Sequence, residues 1–155
     1  MARLLNALAL HLQMALLAIV LCETSLAATP LSPERSAQLT AYCAGVQSLL
    51  RQPALDPASI SVGAAYDAPR PTAILGQKVQ AASNRLALEG SLVLGLVINS
   101  VGRTANVSVL EKSEHAALDF EALDILRGAD FAPATLDGVP VRACTMIRIT
   151  FKVVA

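Results

Sequence analysis

The stretch "SLVLGLVINSVGRTANVSVL", residues 91–110, decides how the rest of the chain is read. Successive side chains of an extended segment point to opposite sides. Leu92, Leu94, Leu96 and Ile98 therefore share one side, and Val93, Gly95 and Val97 the other. Both sides are apolar, which predicts a strand covered on both faces. Asn99 to Arg103 makes a tight connection, with Gly102 where a positive φ is needed. In the return strand Ala105, Val107 and Val109 alternate with Asn106 and Ser108, giving one dry face and one wetter face.

A third extended segment, "RACTMIRITFKVV" at residues 142–154, alternates in the same way. Ile147, Ile149, Phe151 and Val153 are expected toward the core, and Cys144, Met146, Arg148, Thr150 and Lys152 away from it. Between the strands, "SEHAALDFEALDILRG" at 113–128 has the marks of a helix. Ser113 is the expected N-cap, Leu118, Ala122, Ile125 and Leu126 the buried stripe, and Gly128 the stop. "FAPATLDGVPV" at 131–141 adds Pro133 and a turn at Asp137–Gly138.

Upstream, "SPERSAQLTAYCAGVQSLLRQ" at 32–52 predicts a further helix, capped by Ser32, with Pro33 at its first position and ended by Pro53. Leu39, Tyr42, Cys43, Val46, Leu49 and Leu50 form its apolar stripe. "PALDPASISVGAAYDAPRP" at 53–71, with four prolines, reads as irregular. "TAILGQKVQAASNRLALEG" at 72–90 is ambiguous; a second short helix closing at Gly90 is one reading, and Gly76 weakens its start.

The N-terminus, "MARLLNALALHLQMALLAIVLCETSLAATP", carries Arg3, then an apolar run, then small residues at Ser25 and Ala27. This is the pattern of a signal peptide cleaved after Ala27. The alternative is an uncleaved anchor over residues 4–22, close to the roughly 20 residues that span a bilayer. If the leader is removed Cys22 goes with it, leaving Cys43 and Cys144 in an oxidising compartment, where a disulfide is expected. Two separately buried thiols are the alternative. Because Cys144 lies opposite the core stripe, a 43–144 bond lays the N-terminal helix across the second face of the sheet. A β-bulge near Thr145 reverses that parity.

The chain has 155 residues, with 12 basic and 12 acidic side chains and no Trp. There is no clustered basic face for nucleic acid and no set of stacking aromatics for single strands. Two cysteines without histidine neighbours do not make a zinc site, which takes about four ligands. Asp119, Glu121 and Asp124 invite a metal or acid–base reading, but 119 does not line up with both others, and solvated helix charge accounts for them. His115 has no second histidine in the mature chain, and Ser113 lacks a nucleophile-elbow context. No cofactor motif occurs.

Residues 90–154 resemble the C-terminal domain of the TonB family of envelope energy transducers. The resemblance is carried by Gly90, the alternation Leu92 to Ile98 and Gly102. It continues through Val107, Val109, Ser113, Leu118, Asp119 and Ala122, and then Phe131, Pro133, Ala134, Gly138, Pro140 and Val141. It implies an α+β fold, a three-stranded antiparallel sheet packed by helices, here with an extra N-terminal helix. The organisation expected is a leader or anchor at 1–27, a helix and proline-containing connector at 28–89, and the TonB-like domain at 90–155.

The resemblance also implies a function without catalysis: an exported periplasmic module whose last strand pairs with a partner segment. That partner is an outer-membrane TonB-dependent receptor or another envelope protein. On the outer face of the last strand Arg148, Thr150 and Lys152 are the expected binding residues; Arg148 and Lys152 read equally as charged guards that keep an open edge from aggregating. The alternative is a short transducer held in the inner membrane by residues 4–22. The family's anchor pairs a serine with a histidine for a motor complex. Here His11 is present and Ala7 stands in the serine's place, so that contact is not carried over. Pairing of the open edge with a second copy is a further expectation. A small periplasmic enzyme using Asp119, Glu121 and His115 is the remaining alternative.

Overall fold

The computed structural model describes residues 32–154. The chain begins with helix α1 (Pro33–Gln47), a 3-10 turn (Pro57–Ser59) and two short strands, β1 (Tyr66–Asp67) and β2 (Arg70–Pro71). Helix α2 (Ala73–Leu86), long strands β3 (Gly90–Ile98) and β4 (Thr104–Glu111) and helix α3 (Ala116–Arg127) follow. Short strands β5 (Phe131–Ala132), β6 (Ala134–Leu136) and β7 (Val139–Val141) lead into the last long strand, β8 (Ala143–Phe151). The expected leader or anchor, with Ala7, His11 and Cys22, lies outside the described residues. Among those described, no helix is long and apolar enough to cross a membrane.

The main sheet is antiparallel in the order β4-β3-β8, so the doubly apolar segment is the central strand. Leu92 to Ile98 are all buried, as a strand with two covered faces must be. Pairing of β3 with β8 runs unbroken from Gly90↔Phe151 to Ile98↔Ala143. No bulge interrupts it at Thr145, and the alternation of β8 holds throughout. The β3–β4 pair is less regular, with shifts at Val93/Leu94 and Val97/Ile98. Gly102 closes this hairpin with φ +86°, and its carbonyl accepts the Phe131 N–H at 2.8 Å. A Cβ here would lie 2.0 Å from the Phe131 oxygen, so glycine is required by the turn and by the close approach.

Each face of the sheet has its own core. On the first, Leu92, Leu94, Leu96, Ile98, Ile149 and Phe151 pack with Leu118, Ala122 and Leu126 of α3 and Leu75 and Ala82 of α2. On the second, Val97 and Cys144 pack with Leu39, Cys43 and Val46 of α1 and with Ala54. Cys43 and Cys144 are joined by a disulfide across 101 residues of sequence, their Cα atoms 5.8 Å apart and both nearly inaccessible. Tyr42 lies over Gly95, where a Cβ would come within 2.8 Å of its ring, and its hydroxyl donates to Asn106 Oδ1 at 3.0 Å. Gly95 is thus the gap in the strand that admits the ring.

Several sequence expectations are corrected. Helix α1 stops at Gln47, short of Pro53, and leaves Leu49 exposed. The cause is the Gln47 side chain, which accepts the Ala54 N–H at 3.0 Å and donates to the Ala54 carbonyl at 2.5 Å, holding a sharp reversal. Helix α2 forms over Ala73–Leu86 and closes at Ala87, in a left-handed conformation with φ 52°, rather than at Gly90. The connector at 53–71 is not wholly irregular: β1 pairs with β6 and β2 with β5. Ala105 is exposed, because β4 is an edge strand whose dry face begins at Val107, and Val153 is exposed beyond the end of β8. His115, not Ser113, is the residue at the start of α3; Ser113 supports that start by accepting the His115 N–H at 3.2 Å.

Candidate docking edge

Each strand residue directs its backbone N–H and C=O to one neighbour, alternately along the chain. In β8 the Cys144 N–H points away from β3, since it donates to the Leu55 carbonyl at 2.9 Å. By that alternation Met146, Arg148 and Thr150 also present their backbone groups to the outer side, while the odd-numbered residues serve β3. No backbone group among the described residues pairs with those three on the outer side. At the far end the Lys152 carbonyl accepts from Gln80 Nε2 at 2.8 Å.

A groove of about 430 Å³ runs beside this free stretch, between β8 and α2. Its lining combines Leu75, Gly76, Val79 and Gln80 of α2 and Pro71 and Thr72 before it with Ile147 to Thr150 and Lys152. The geometry can take an extended backbone: donors and acceptors on one side, and apolar side chains at Leu75, Val79, Ile147 and Ile149 to receive alternate side chains.

The three side chains expected to bind behave differently from their backbones. Arg148 reaches across its own sheet to Glu111, at 3.5 Å, with both groups about half exposed, a pairing that screening leaves weak. Thr150 Oγ1 lies 3.0 Å from Ser91 Oγ. The Lys152 side chain is exposed. Two of the three are thus directed inward along the sheet, and what they offer outward is main chain. The α2 side of the groove was not read from the sequence as part of a site. Its signal was the spacing Leu75, Val79, Ala82, Leu86, an apolar stripe on a segment that Gly76 made ambiguous.

Two of the acidic residues of α3 serve separate structural ends. Asp119 Oδ1 accepts the Ser113 N–H at 2.9 Å, tying down the helix entry. Glu121 pairs with Arg85 of α2 at 2.6 Å, and Asp124 and His115 are exposed. Among the described residues no group of His, Cys, Asp and Glu is placed to hold a metal ion.

Residues 80–153 match the family model described as Gram-negative bacterial TonB protein C-terminal. The match starts inside α2 at Gln80 and takes in the whole three-stranded sheet, α3 and the outer edge of β8. No curated protein matches the chain. Sheet order, helix placement and family match agree: residues 80–153 form a TonB-family C-terminal domain.

Proposed function

We propose that this chain is an exported, periplasmic TonB-like binding module that docks an extended segment of another envelope protein onto the outer edge of β8. An outer-membrane receptor of the TonB-dependent class is the partner that the family assignment favours. The observation that carries the reading is the run of backbone groups at Met146, Arg148 and Thr150 that have no backbone partner among the described residues, beside an apolar groove. Main-chain pairing supplies affinity in this mode, and the groove selects side chains. The module is non-catalytic: the acids of α3 are engaged in a helix entry and an inter-helix ion pair, or face solvent. The same edge serves a processed protein or one retained by an N-terminal anchor, and the mass of the chain recovered from cells tells the two apart.

Amide chemical shifts followed during titration of the mature protein with peptides from TonB-dependent receptors test the proposal. The expected result is a perturbation confined to residues 146–152 and the α2 groove wall. Perturbations restricted to β4, or none at all, would contradict it.

A further inference from the structure

One end of the β8 edge is already occupied, and the occupant is this chain's own backbone. Leu55 pairs with Ala143 in parallel orientation: its N–H donates to the Arg142 carbonyl at 2.8 Å and its carbonyl accepts the Cys144 N–H at 2.9 Å. The edge therefore takes an extended strand in the native molecule. That pairing covers a single residue. In a parallel ladder the next donor, to the Cys144 carbonyl, would come from residue 57, which is Pro57 and has no N–H. The chain turns there instead into the 3-10 segment Pro57–Ser59, fixed by Asp56 Oδ1 accepting the Ala58 N–H at 3.0 Å. This segment lies against both α1 and β8.

We infer that the strap Ala54–Ser59 is a fixed stop on the docking edge, which sets the register and length of the partner segment. Resting on the docking function proposed above, it names what that edge accepts. The segment is a short extended one, of about five residues opposite Met146 to Thr150. It ends or turns away where the strap begins. The stop is held by two restraints close to it: Gln47 brackets Ala54 on both backbone groups, and the Cys43–Cys144 disulfide ties α1 to the strand the strap covers. Leu55 is thus a specificity-determining residue that acts by occupying the edge, without touching the groove.

The test uses the full mature chain and end-blocked peptides of alternating Glu and Val, of three, five, seven and nine residues. Val suits the apolar groove and an extended backbone, and Glu keeps the series soluble. Affinity is expected to rise about fivefold or more from three residues to five, as new backbone hydrogen bonds form. It then stays flat to nine, with no shift at the amides of Leu55 and Cys144. Affinity that keeps climbing with length, together with loss of hydrogen-exchange protection at the Cys144 amide, would overturn the stop while leaving edge docking intact. Absence of binding at any length would remove the docking function, and the stop with it. In the Leu55→Pro variant, which loses the donor to Arg142, the plateau should move to longer peptides. If that variant does not fold, the native length series decides alone.

Discussion

The two halves of the β8 outer edge share one strand, one register and one alternation, yet they differ in state. From Arg142 to Cys144 the edge is closed by Leu55, beneath a helix fixed by a disulfide. From Met146 to Thr150 it has no backbone partner among the described residues and faces a groove. An unpaired strand edge is an aggregation hazard that proteins normally cover or shorten. Here the covering material reaches about one residue and stops at a proline. What remains open is short, carries Arg148 at its centre, ends beside Lys152 and is bordered by α2, which suits a selective docking edge better than an indiscriminate one.

Removing the closed half's restraint should have the largest effect. Cys43→Ala with Cys144→Ala removes a crosslink spanning 101 residues, and denaturant unfolding should show a loss of about 2–5 kcal/mol. An unchanged midpoint would mean that α1 holds the second face without the bond. Gly95→Ala drives a methyl into the Tyr42 ring and should cost about 1–3 kcal/mol. Pairing it with Tyr42→Ala should recover part of that loss, and strict additivity would contradict the contact. Gln47→Ala strips both partners from the Ala54 backbone and should cost about 1–3 kcal/mol, accompanied by faster exchange at the Ala54 and Leu55 amides. A variant as protected as the parent would remove Gln47 from the strap's support.

The smallest effect concerns pH. Burial pushes the Tyr42 hydroxyl from 10.0 up to about 12, and burial, with help from Asp56, does the same for Tyr66. The folded state thus keeps protons that the unfolded chain releases, so stability is whole below pH 10 and falls as pH rises toward 12. Unfolding midpoints at pH 8 and pH 11 should differ in that direction, and Tyr42→Phe should flatten the difference. A rise in stability over this range would contradict the burial of both rings.

The long strands and the face that α1 covers are legible in the sequence; the strap that closes one end of the edge is not. Period-two patterns survive translation into structure because alternation is a local property of extended chain. Leu92 to Ile98 announced a central strand, and the placement of Cys144 opposite Ile149 announced which face α1 covers. The strap carries no such pattern. Leu55 makes one bridge between Pro53 and Pro57, too short for any period, and its partner lies far along the chain. The same holds for β1 and β2, two residues each. Ala87 takes a left-handed cap that local preference assigns to glycine, so α2 ends ahead of Gly90. In each case a tertiary contact decided what local preference left open.

The most direct measurement is residue-resolved amide hydrogen exchange along β8 in the oxidised protein. The predicted result is strong protection at Cys144, whose N–H is held by Leu55, beside rapid exchange at Arg148 and Thr150, whose outward N–H groups have no backbone partner among the described residues. Equal protection at all three would show the edge closed along its whole length and contradict the account.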